Sequence, residues 1–171
     1  MTIYDKAKYH EDSCAEAGLP YRQAMNHSGL FVAWLVHHGL LADEVSKDMV
    51  RAVRARKKPA STILEWYDGC LADDMLNEEG RAFTARYFDF DRGEYLKDFE
   101  RVLARGAEST FHVAESWHNY DLIAPTIEAR YRRFKGEDVP LPPPPEAKPE
   151  TVGPTWWSRL SHRLFGRTDD E

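Results

Sequence analysis

Several things are scarce in this chain, and each scarcity removes a class of protein. Of its 171 residues only two are cysteines, Cys14 and Cys70, so at most one disulfide can form and no paired-cysteine zinc site is available. Both are read as free thiols. No apolar run approaches the ~18 or more residues that a membrane-spanning helix needs. The opening "MTIYDKAKYHEDSC" lacks the apolar core of a secretory signal, so the expected compartment is the cytoplasm. There is no Gly-rich phosphate loop and no nucleophile elbow. Positive charge is also short: the formal net charge is −6, which argues against a nucleic-acid binder that must displace counterions from phosphates.

The charge that is present is unevenly spread. Between Glu65 and Asp121 there are 14 acidic residues against 6 basic ones, whereas Lys47 to Lys58 carries six bases and one acid. Solvated helix faces explain much of this. An acidic surface meeting a basic partner is the sharper reading, because complementary fields raise association rate and specificity.

Periodicity indicates helices. Residues 21 to 38 read as one helix, apolar almost all round in "GLFVAWLV" and closed by Gly39; such a helix belongs at the centre of a core. Gly29 within it implies a closely packed neighbour. A second helix, about Asp43 to Arg56, carries Val45, Met49, Val50 and Val53 on one stripe. Residues 61 to 71 form a short helix or turn broken at Gly69. Asn77 is a good N-cap, followed by Glu78 and Glu79 in the first turn, and Phe83, Tyr87 and Phe88 supply the buried side. Asp91 with Glu94 has capping-box spacing and leads into Tyr95, Phe99, Val102 and Leu103. Residues 109 to 136 add one or two helices, with Pro125 expected in the first turn of the last. No alternation of period two is long enough for a sheet. The fold class is therefore all-α, a bundle of about six or seven helices over residues 1–138.

After Val139 the composition changes. Five prolines in six residues, 140 to 145, predict an extended spacer over 139–154. Beyond it, "TWWSRLSHRLFGR" places Trp156, Trp157, Leu160, Leu164 and Phe165 on one helical face and Arg159 and Arg163 on the other, an amphipathic basic tail over 155–171. That pattern suits docking back on the domain's acidic surface, on a partner, or on a membrane surface at the inner face of the membrane.

Four ordered stretches, "YDKAKYH" (4 to 10), "LPYRQAMNHSGLFVAWLVHHGL" (19 to 40), "DGCLADDMLNEEGRAF" (68 to 83) and "FHVAESWHNYDLI" (111 to 123), resemble a family of uncharacterised bacterial domains. Tyr9 stands where the family pattern usually has tryptophan, and His118 where an acidic residue is more familiar. The resemblance implies no established activity. Some small acidic domains of this kind lie beside secreted toxins and act as immunity proteins.

Three functions follow. The leading one is a non-enzymatic binding protein, an immunity protein that covers a toxin with an acidic surface formed by Asp73, Asp74, Glu78, Glu79, Asp89 and Asp91 with Trp117 and Tyr120 as aromatic anchors. Trp66, Tyr67, Trp117 and Tyr120 are all expected in the core more than at an interface. The second is a metal-binding or hydrolytic enzyme using His10, His27, Glu115 and His118, in which Glu115 and His118 would share a helix face. One such pair falls short of a di-metal bundle, and a buried, hydrogen-bonded imidazole is the simpler account of His27. The third is a peripheral membrane adaptor acting through the tail. No cofactor, resident metal or catalytic residue is expected under the leading reading.

Overall fold

The computed structural model describes residues 1–89 and 92–153. Asp91 and the tail residues Trp156, Trp157, Arg159, Leu160, Arg163, Leu164 and Phe165 lie outside the described residues. Seven α-helices are present among the described residues: α1 (Glu11–Glu16), α2 (Asn26–His38), α3 (Lys47–Arg54), α4 (Ser61–Trp66), α5 (Glu78–Tyr87), α6 (Tyr95–Val102) and α7 (Trp117–Phe134). No described helix is long and apolar enough to cross a membrane.

The centre is α2. A helix apolar on every side must be covered on every side, and its residues 30 to 36 are all at most 3% exposed. Helices α3, α4 and α7 pack against it, while α5 and α6 lean on α7. Phe31 sits among Phe83, Tyr87, Phe88 and Tyr95 with ring centres 5.0 to 6.1 Å apart, the spacing of tilted aromatic packing. Two of the expected caps are in place; the one expected at Asp91 and Glu94 is not, since α6 begins at Tyr95 with Glu94 itself at the N-cap and no side-chain cap. Gly39 closes α2 with φ 67°, a left-handed conformation that costs glycine nothing. Asn77 Oδ1 accepts the Gly80 amide at 2.8 Å at the start of α5.

Some local features depart from the sequence reading. The predicted helix from residue 21 begins as a 3₁₀ turn, Tyr21–Met25, before α2 proper. Pro125 lies inside α7 rather than in a first turn, because α7 runs unbroken from Trp117. A small antiparallel ribbon is also present: β1 (Ile3–Lys6) pairs with β2 (Cys70–Ala72). Its register slips between Ile3 and Asp5, and bulges of this kind redirect side chains. Asp5 is the one buried residue of β1.

The proline segment is a strap rather than a free spacer. A polyproline chain makes no internal hydrogen bonds, so its carbonyls remain open to donors. Arg133 Nε donates to Val139 O at 2.7 Å, Arg101 to Pro142 O at 3.2 Å and Arg105 to Pro145 O at 2.7 Å. Further on, Glu150 exchanges two 2.8 Å hydrogen bonds with the Asn119 side chain, and Val152 N donates to His112 O at 2.7 Å. A single bridge between Val113 and Thr151 completes the return. The expected boundary at 138 is thus crossed by a line of hydrogen bonds.

Candidate functional site

Three segments distant in sequence converge on one carboxylate. Asp5 comes from β1, His10 from the 3₁₀ turn Ala7–His10, and His27 and Ser28 from the first turn of α2. His10 Nε2 lies 2.8 Å from Asp5 Oδ1, and His27 Nε2 lies 3.0 Å from Asp5 Oδ2. Ser28 Oγ donates to Asp5 Oδ2 as well. Asp5 and His27 are 2% and 3% exposed, and His10 closes the cluster on the solvent side.

Burial alone would raise the Asp5 carboxyl, but its close contacts with His10, His27 and Ser28 hold it well below the usual carboxylate range. The walls are aromatic. Phe88, Phe99 and Phe111 lie 6.2 to 6.3 Å from the His27 ring, and Phe111 is 5.4 Å from His10. Tyr95 donates to His27 O at 2.6 Å, tying α6 to the same turn.

The second turn of the site is set by Asn26. Its amide nitrogen donates to Thr110 O at 2.7 Å and Val113 O at 2.8 Å, so its orientation is fixed. Its Oδ1 therefore faces His27, accepting the backbone N–H at 2.6 Å and lying 3.1 Å from Nδ1.

The expected pairing of Glu115 with His118 is not formed. Glu115 precedes the N-cap Ser116 and turns inward, where it accepts the Ser61 amide at 2.8 Å and lies against Gly29. Burial pushes its carboxyl up. His118 is exposed and donates to Lys148 O of the strap at 3.0 Å. Of the four residues in that reading, the structure brings together only His10 and His27.

The acidic surface is likewise divided. Asp73 and Asp74 form the turn after β2, and Glu78 and Glu79 open α5. Glu79 pairs with Lys135 and accepts from Tyr131 at 2.7 Å, while Asp89 Oδ1 accepts the Arg92 amide at 2.7 Å. Trp117 and Tyr120 are elsewhere, beneath the Arg56 guanidinium at 5.1 and 5.5 Å; Arg56 is itself bonded to Asp121.

Trp66 overturns its expectation most clearly. Its helix turns that side chain outward and leaves it 73% exposed. All five exposed large hydrophobics among the described residues, Met1, Ile3, Tyr9, Tyr21 and Trp66, come from the N-terminal ribbon, the two 3₁₀ turns beside it and the end of α4. These elements are packed together: Ala7 N donates to Gly69 O at 2.9 Å, and Arg22 reaches Glu65 at 3.8 Å.

Sequence reasoning missed Asp5, although it lies in the quoted "YDKAKYH". A strand aspartate is usually exposed, and only the bulge and the pairing with β2 turn it inward. Comparison with curated proteins gives no match, and neither does comparison with solved structures. A family match covers residues 3–113, which include Asp5, His10, His27 and Trp66 and end within the last of the four stretches, 111 to 123. On that match the chain belongs to DUF7832, a domain of unknown function.

Proposed function

We propose that this is a binding protein that recognises a basic protein surface through the aromatic face around Trp66. The gathering of exposed large hydrophobics on one set of elements, with Trp66 73% exposed, carries this reading. Tryptophan and tyrosine anchors dominate the energetics of protein interfaces, and scattered exposure would not concentrate them in this way. Acidic groups accompany them. Asp74 and Glu44 act electrostatically on Tyr67, Glu11 acts on Tyr21, and Asp68 follows the tryptophan in sequence, while Glu65 is paired with Arg22. Asp73 and Asp74 remain in the recognition surface, whereas Glu79, Trp117 and Tyr120 are engaged within the fold.

The most concrete form is an immunity protein that covers a cationic toxin, since inhibition by coverage needs only a complementary interface. The test is binding to, and neutralisation of, the toxin encoded beside this gene. Trp66→Ala should weaken that complex by roughly 30-fold or more, as expected for a hot spot, and leave thermal stability unchanged. A neighbouring product that is neither bound nor neutralised, or an unaltered affinity in Trp66→Ala, overturns the reading.

A further inference from the structure

The Asp5, His10 and His27 cluster has a feature that packing does not require. His27 faces an acceptor oxygen at each ring nitrogen: Asn26 Oδ1 at 3.1 Å from Nδ1 and Asp5 Oδ2 at 3.0 Å from Nε2. Asn26 cannot turn its amide nitrogen toward the ring, because that nitrogen is held by two backbone carbonyls. Nδ1 therefore carries a hydrogen. In the neutral ring the Nε2 lone pair then points at a carboxylate oxygen, and two lone pairs cannot face one another across 3.0 Å without a cation between them.

That cation is either a proton or a metal ion. We infer that the Asp5, His10 and His27 side chains form a binding site for a divalent transition-metal ion, Zn²⁺ by the chemistry of its donors.

The donor set is two imidazoles and one carboxylate, which suits borderline ions such as Zn²⁺. The three ligand atoms lie within 4.8 Å of one another. Zinc bonds of ~2.0–2.1 Å at a tetrahedral centre separate neighbouring ligand atoms by about 3.3 Å. The 2.8 and 3.0 Å contacts run to different oxygens of Asp5, so an ion between the two rings is held either by both carboxylate oxygens or by one of them after a small turn of the carboxylate. The ring geometry agrees. Two imidazoles sharing one tetrahedral ion place their centres about 5 Å apart, and the His10 and His27 rings are 5.1 Å apart and nearly perpendicular.

The outer shell is also that of a metal site. A ligating histidine normally donates its other N–H to an oxygen, as His27 does to Asn26, and a ligating carboxylate is itself hydrogen-bonded, as Asp5 is by Ser28. Asp5 and His27 are closed off, so entry and any remaining coordination position lie on the side of His10. The inference is independent of the recognition surface, although the ion would clip β1 and the turn carrying Tyr9 to α2.

The test is titration of the full 171-residue chain, stripped of metal with a chelator, with Zn²⁺ alone and separately with Co²⁺. One Zn²⁺ per chain should bind, and Co²⁺ should give the visible bands of a four-coordinate N/O site. At a hundredfold excess over Kd the melting temperature should rise by roughly 5–10 °C. His10→Gln, at the solvent edge, should keep the fold by circular dichroism and lose roughly 100-fold or more in affinity; His118→Gln should bind as the parent does. Because variants can disturb folding, the ¹⁵N signals of the imidazoles in the unaltered protein provide a second readout, and His10 and His27 Nε2 should move on Zn²⁺ addition. Sub-stoichiometric binding, unchanged affinity in His10→Gln, or movement of other histidines instead overturns the inference and leaves a proton as the bridge.

Discussion

Replacing Gly29 by alanine should destabilise the protein, although alanine is the better helix former by about 1 kcal/mol. The reason is a carboxylate from another segment. A Cβ at residue 29 would stand 2.5 Å from Glu115 Oε1 and 2.8 Å from its Cδ. Glu115 cannot yield freely, since the same oxygen accepts the amide of Ser61, a residue with no exposed surface. Moving it orphans a buried N–H at about 1–3 kcal/mol, and overpacking adds a similar amount. Against the helix gain, the net loss is about 1–5 kcal/mol, and each kcal/mol lowers the melting temperature by roughly 2–4 °C in a chain of this size. Urea melts of a double-mutant cycle provide the assay. In a Glu115→Ala background the obstacle is gone, and Gly29→Ala should become stabilising by up to about 1 kcal/mol. Equal effects of Gly29→Ala in both backgrounds would refute the argument that Glu115 is what requires glycine.

The Glu115 carboxyl is raised by burial from its ordinary 4.5, so the folded chain holds that proton more tightly than the unfolded one. Its contribution to stability is therefore full below 4.5 and declines as pH rises through the folded value; Glu115→Gln should remove that decline in urea midpoints measured from about pH 4 to about pH 8, and an unchanged slope would locate the linkage elsewhere. A chain ending at residue 138 loses both hydrogen bonds between Asn119, a residue with no exposed surface, and Glu150 of the strap, and should be less stable by about 1–3 kcal/mol from that loss alone. A chain ending at 153 keeps them and should melt with the full-length protein in calorimetry. The tail sequence predicts that full-length protein floats with anionic vesicles and that the 1–153 chain does not, with Trp156 and Trp157 emission moving to the blue; equal flotation removes the membrane reading.

Helix α2 was legible in the sequence because "GLFVAWLV" leaves no polar side to face water, so its central burial follows from composition alone. Asn77 and Gly39 were legible for a similar reason: a cap acts on backbone within its own turn. The need for a close neighbour at Gly29 could be read, but not that the neighbour is Glu115. His10 and His27 were recognisable as a pair worth weighing, while their shared carboxylate was not, because Asp5 reaches them only through a bulged strand whose partner lies some 65 residues further on.

The sequence by itself determined the helical class, the central helix and the caps at Gly39 and Asn77, since these depend on interactions between residues a turn apart. Tertiary structure alone decided that Trp66 faces outward, that the prolines lie as a strap under Arg101 and Arg105, and that one buried carboxylate gathers two histidines. Each of these depends on which distant groups come within about 3 Å, a condition set by the packing of the whole chain and invisible to periodicity.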